Sequence, residues 1–147
     1  MAEFYLKKQK MARDLIHNMV KNAITNDNWL ITHDPYPLKI GGFDMQVDLA
    51  AESIVAAERD NEKIAIEIKT FAGVSKVYEF HLAVGQFIDY RVGLRVNDPD
   101  RTLYVAVTED IYDDVFLMPF PQLVIAEINL KIIVVNPETQ TIVKWIK

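Results

Sequence analysis

The chain has 147 residues and no cysteine; half of its residues are hydrophobic, a quarter are charged, and its formal net charge is −5. This length suits one domain with one core, and the composition excludes a disordered chain, a disulfide framework and a thiolate metal site. No apolar run approaches the roughly 20 residues that span a bilayer, and no signal-peptide-like stretch follows the N-terminal lysines, so a cytoplasmic protein with no membrane partner is expected. The acidity argues against a protein that holds nucleic acid mainly through a basic surface. The basic residues are scattered apart from a loose group at Lys7, Lys8, Lys10 and Arg13. Any DNA affinity is therefore expected to be weak without a metal or a protein partner.

In chain order, residues 1–10 are expected to be mobile. From Met11 to Ile24, apolar residues at Ala12, Leu15, Ile16, Met19, Val20, Ala23 and Ile24 form a helical stripe. Trp29-Leu-Ile-Thr starts a strand that Asp34-Pro35 breaks, and a second strand begins at Leu38, with a bend at Gly41-Gly42. Met45 to Thr70 reads as a long hairpin, with arms Val47 to Glu58 and Lys63 to Lys69 and the polar turn Arg59-Asp60-Asn61-Glu62. Ser75 is a suitable N-cap for a helix to Leu94. Its core stripe is expected at Val77, Phe80, Val84, Phe87 and Ile88. Thr102 to Val107 is a strand, Asp110 to Phe116 a short helical piece, and Met118-Pro-Phe-Pro121 a turn. Gln122 to Ile128 then looks helical, and Lys131 to Val135 and Thr141 to Ile146 form a last hairpin. The whole is a single α/β domain, residues 1–147, with a mixed β-sheet flanked by helices. The apolar last hairpin could leave an exposed edge, which makes a homodimer plausible.

The sharpest chemical feature is Glu67-Ile68-Lys69. Residues two apart on a strand point to one side, so the carboxylate and the ammonium can reach the same ligand. A carboxylate there can hold Mg²⁺, and the lysine can stabilise charge on a phosphate. Mg²⁺ usually wants at least one more protein oxygen. With the turn centred between Asp60 and Asn61, Glu67 lies opposite Ile54, and even-numbered residues of the first arm share its side. Asp48 and Glu52 are then the candidates for a second ligand, and a one-residue bulge would change that parity. Such a Glu-x-Lys is most often a solvated face; covered by helices, two charges need a reason. On the following helix, Glu79, Ala83, Gln86 and Tyr90 form a separate line that could border the site, with Gln86 and Tyr90 touching a phosphate. An exposed polar edge with an ordinary tyrosine is the plainer explanation of that line.

The combined pattern resembles the PD-(D/E)xK, or restriction-endonuclease-like, superfamily. That resemblance implies a Mg²⁺-dependent phosphodiesterase site with Asp48 as the first acid, Glu67 and Lys69 as the second motif, and Gln86-x-x-x-Tyr90 as a Q-x-x-x-Y extension. More closely, the chain is similar to the XisH family, the fdxN element excision controlling factors of cyanobacteria. The matching stretches include Thr32-His-Asp-Pro35, Val47-Asp-Leu-Ala-Ala-Glu52, Ala56-Ala-Glu58, Lys63-Ile-Ala-Ile-Glu-Ile-Lys69, Glu79-Phe-His-Leu82 and Gly85-Gln-Phe-Ile-Asp-Tyr-Arg91. The family implies a role in programmed, site-specific DNA excision beside a recombinase and an XisI-like partner protein. It leaves open whether the chain itself is a metal-dependent endonuclease or a non-catalytic protein of the same fold that works through DNA or protein contacts. In many nucleases of the superfamily the first helix offers a Glu to the metal. The corresponding place here is His17, which could ligate a metal or replace a water contact.

Overall fold

A computed structural model describes residues 1–53 and 62–147. The chain runs through α1 (Ala2–Asn26), β1 (Trp29–His33), β2 (Tyr36–Ile40), β3 (Phe43–Val47), β4 (Leu49–Ser53), β5 (Lys63–Ile68) and α2 (Lys76–Asn97). It continues through β6 (Arg101–Thr108), α3 (Glu109–Ile111), a π-helical stretch (Tyr112–Phe116), α4 (Pro119–Ile128), β7 (Ile132–Asn136) and β8 (Thr141–Ile146). The main sheet has six strands in the order β1-β4-β5-β6-β7-β8, and β2 and β3 form a separate two-stranded ribbon. The β5–β6 and β6–β7 pairs are parallel, and the other pairs of the main sheet are antiparallel. Parallel strands are covered on both faces, which is why β6 and β7 read as nearly continuous apolar runs. The expected α/β mixed sheet flanked by helices is therefore present. No helix among the described residues is long and apolar enough to cross a membrane.

Alternation along β5 sends its side chains to two cores. Ile64 and Ile66 pack with Val20, Ala23 and Ile24 of α1, together with Tyr104, Ala106 and Ile133. Ala65 faces the other way, onto Phe80, Ala83 and Phe87 of α2, with Leu103, Val105 and Val107. The ribbon adds Leu38 and Val47 to this second core. It lies so close to α2 that a Cβ at Gly93 would stand 3.0 Å from side-chain atoms of both Leu38 and Ile40.

Several expectations are corrected. Helix α1 starts at Ala2, ahead of the Met11 at which the apolar stripe began, and its buried residues are only Val20, Ala23 and Ile24. Its last turns are tied to the far hairpin, where Asn22 Nδ2 donates to Gln140 Oε1 at 2.6 Å and Asn26 Nδ2 to the Gln140 carbonyl at 3.1 Å. The hairpin expected over Met45 to Thr70 is interrupted at Asp48: β3 pairs with β2, whereas β4 pairs with β1 and β5. Gly41 and Gly42, both at positive φ, turn the chain back so that Met45 and Val47 serve the ribbon. Ile54 to Asn61, including most of the expected turn and the upper first arm, lies outside the described residues. Glu52 pairs with Lys63. Continuing that register puts Glu67 opposite Asp48 instead of Ile54, an even shift that leaves the same side chains sharing a face.

On α2 the Ser75 hydroxyl accepts from the Tyr78 N–H at 3.1 Å, as expected of its N-cap. The buried face, however, is Phe80, Ala83, Phe87, Tyr90 and Leu94, while Val77 and Ile88 are exposed. Sheet and ribbon both cover the helix and rotate its apolar face toward the line that had been assigned to the site's border. The Met118-Pro-Phe-Pro121 turn proves to be the start of α4. Proline fits the first helical turn, where its missing N–H has no partner to lose.

Candidate functional site

Asp48 occupies the point where the chain passes from the ribbon to the main sheet. Its backbone N–H donates to Glu67 Oε1 at 3.3 Å, and its own Oδ2 accepts the N–H of Ile68 at 2.8 Å. These reciprocal bonds lock the two carboxylates side by side. Glu67, next to last in β5, is buried at 7 % exposure. Lys69 lies just past the strand, held by its N–H to the Ala106 carbonyl at 3.0 Å. Its Nζ stands 3.2 Å from Glu67 Oε2 and donates to Gln86 Oε1 of α2.

The electrostatics follow from two acids beside one ammonium. Burial, and then the negative charge of Asp48, push the Glu67 carboxyl up to about 7 despite the opposing pull of Lys69. Burial and the charges of Glu67, Asp48 and Asp89 push the Tyr90 hydroxyl up to about 12, so it stays a neutral phenol.

A cavity of about 510 Å³ opens on this cluster. Asp48, Glu67, Lys69 and Glu79 line one side, and Arg13 and His17 of α1 line the other. His17 Nε2 is 2.8 Å from Asp34 Oδ1, and Lys21 Nζ is 2.7 Å from Asp34 Oδ2. Burial alone would raise the Asp34 carboxyl, but the Lys21 hydrogen bond and the charge of His17 outweigh it and hold it below its ordinary value.

The structure thus brings together Asp48, Glu67, Lys69 and Gln86, places Tyr90 within the field of the carboxylates, and sets His17 across the cavity. It does not bring in Glu52. That residue sits four positions beyond Asp48, about 13 Å along the strand, and faces Arg101, with Nη2 to Oε1 at 3.9 Å. Of the two acids weighed as second ligand, only Asp48 meets Glu67. The role of Arg13 as a cavity wall was missed, although Gln9, Arg13 and His17 recur every fourth residue and all three line the cavity.

Among the described residues, no three His, Cys, Asp or Glu gather closely enough to hold a metal by themselves. The donor set still fits Mg²⁺, which keeps several waters and takes only one or two carboxylates. The mutual repulsion of Asp48 and Glu67 is what a bound dication would relieve.

The sequence matches the model of XisH protein over residues 10–143. The chain belongs to the XisH family. An XisH family protein from Nostoc punctiforme is 40% identical, with a TM-score of 0.82 over 90% of this chain and 99% of that one. A fdxN element excision controlling factor protein from Anabaena variabilis is 41% identical, with a TM-score of 0.82 over 91% of this chain and 99% of that one. No curated protein matches the sequence. Every residue of the Asp48–Glu67–Lys69–Gln86 cluster, and His17 opposite it, falls inside the span matched to XisH.

Proposed function

We propose that this XisH-family chain is a controlling factor for programmed, site-specific DNA excision, carrying a Mg²⁺-dependent phosphodiester site of the PD-(D/E)xK kind. The observation that supports it most is the interlocked pair Asp48 and Glu67, with Lys69 beside them, at the mouth of a cavity. The excision role rests on the likeness to the Anabaena variabilis factor. An XisI-like protein and a site-specific recombinase are the partners that go with it.

In this reading Asp48 and Glu67 hold the cation, which when bound would polarise the phosphate and ease deprotonation of the attacking water. Lys69 offers its ammonium to the charge that develops on the phosphate oxygens. Gln86 works through Lys69, fixing the ammonium against α2, and is a positioning residue. Arg13 and His17 approach the same phosphate from α1. Tyr90, neutral and buried, lies within the field of the carboxylates.

The test is nicking of supercoiled DNA by purified protein with Mg²⁺ or Mn²⁺, alone and with an XisI-like partner. Cleavage that disappears in Lys69→Ala is expected. No cleavage above background under any of these conditions sinks the enzymatic reading. A non-catalytic protein acting through DNA or protein contacts is the second reading, favoured by the net charge of −5 and by the absence of a third ligand among the described residues. Wild-type excision by Lys69→Ala would select it.

A further inference from the structure

A second cavity, of about 130 Å³, lies where the last turns of α2 meet the starts of β6 and β7. Arg91, Arg95, Arg101 and Lys131 all line it, and no aspartate or glutamate does. In a chain with a net charge of −5 this concentration of cations runs against the average. Among the described residues only Arg101 of the four is balanced, by Asp98 at 2.8 Å and Glu52 at 3.9 Å. Arg95 and Lys131 make no ion pair among the described residues. Arg91 donates through Nη1 to the Ile128 carbonyl and lies over the Phe87 ring at 5.0 Å. Its Nε–H is buried and has no acceptor among the described residues. Arg91 thus lines the cavity together with Arg95 and Lys131, and none of the three makes an ion pair among the described residues, a concentration of positive charge that suits an anion.

We propose that this cavity binds a phosphate dianion. Three cations without acidic partners among the described residues suit a charge of −2 better than a single carboxylate, which would leave more of them unmatched. A guanidinium presents its N–H groups in a fork that fits tetrahedral oxyanions, and the space admits a group of that size. The cavity is separate from the Asp48–Glu67 cluster. Arg101 pairs with Lys63, and Glu67 with Val105, so the two places lie at least about 13 Å apart along the strands.

Calorimetric titration of the whole chain at low salt, with inorganic phosphate alone and with a nucleoside monophosphate alone, tests the proposal. With no Mg²⁺ present, so that Asp48 and Glu67 repel phosphate from the first cavity, one-site binding is expected. It should weaken by at least about tenfold in the Lys131→Gln/Arg95→Gln double variant. The double variant changes no buried residue and should unfold at the wild-type temperature. Arg91→Lys, which keeps the charge but loses the fork, should also weaken binding. Tighter binding of inorganic phosphate assigns the cavity to the free ion; equal or tighter binding of the nucleotide assigns it to a phosphate presented on a larger molecule. No saturable heat from either ligand, undiminished binding in the double variant, or succinate binding as tightly as phosphate would each overturn the proposal.

Discussion

Two clusters of buried charge sit at opposite ends of β4, β5 and β6, and they are built on different terms. Around Arg101 the charges close on themselves. Its Nε donates to Asp98 at 2.8 Å, its Nη1 donates to the Ile64 carbonyl at 3.0 Å, and it lies over the Tyr36 ring at 5.0 Å. The Tyr36 hydroxyl donates to Asp98 at 3.0 Å and completes the set. Around Glu67 there are two carboxylates for one ammonium, and the excess faces a cavity. A closed, balanced cluster holds parts of the fold together. An open, unbalanced one keeps a repulsion that a ligand can remove, and that imbalance marks a candidate site more clearly than burial does.

The contrast can be broken experimentally. Arg101→Ala leaves Asp98 with only the Tyr36 hydroxyl among the described residues, removes a donor from the Ile64 and Ala51 carbonyls, and should cost about 3–5 kcal/mol in urea unfolding. A loss below about 1 kcal/mol would mean that the closed cluster is not structural. Lys69→Ala should lower any nicking rate by at least about 100-fold, near 3 kcal/mol of transition-state stabilisation, while changing urea stability much less than Arg101→Ala. Equal stability losses in the two variants would erase the distinction between the clusters.

The pH dependence sharpens the contrast further. The Glu67 carboxyl is raised from 4.5 to about 7 in the folded chain. Between those values the folded chain keeps a proton that the unfolded chain has released, so stability should fall as pH rises through this window, by on the order of 3 kcal/mol at most. Glu67→Gln should flatten that slope. Added Mg²⁺ competes with the same proton, so its stabilising effect should grow as pH passes about 7 and vanish in Glu67→Gln. Thermal unfolding across pH with and without Mg²⁺ reads both effects.

Much of this was legible in the sequence where one period decides. The alternation of Ile64, Ile66 and Ile68 defined β5, and the same period put Glu67 and Lys69 on one side. The placement of Asp48 was legible only in parity. Alternation says which face a residue takes but not which strand it pairs with, so the passage from ribbon to sheet stayed hidden, and the assumed turn centre gave the wrong partner for Glu67. Helix α2 misled because valine and isoleucine occur all round it; what covers a helix decides its inner face. Arg13 was legible only through its spacing of four from His17, since its place on the cavity wall depends on where α1 crosses the sheet.

That crossing has a mechanical consequence. With 25 residues, α1 is about 37 Å long, yet among the described residues it is clamped only along its C-terminal half, by Ile16, Val20, Ala23 and Ile24, the bonds of His17 and Lys21 to Asp34, and the Gln140 turn. Its leading turns form a cantilever. Amide exchange should be slowest at the clamp and quicken steadily toward Ala2, each step outward being a shorter and cheaper fraying event. Whatever engages Arg13 or His17 from the cavity adds a second support to the beam, and protection should then spread into turns that touch no core.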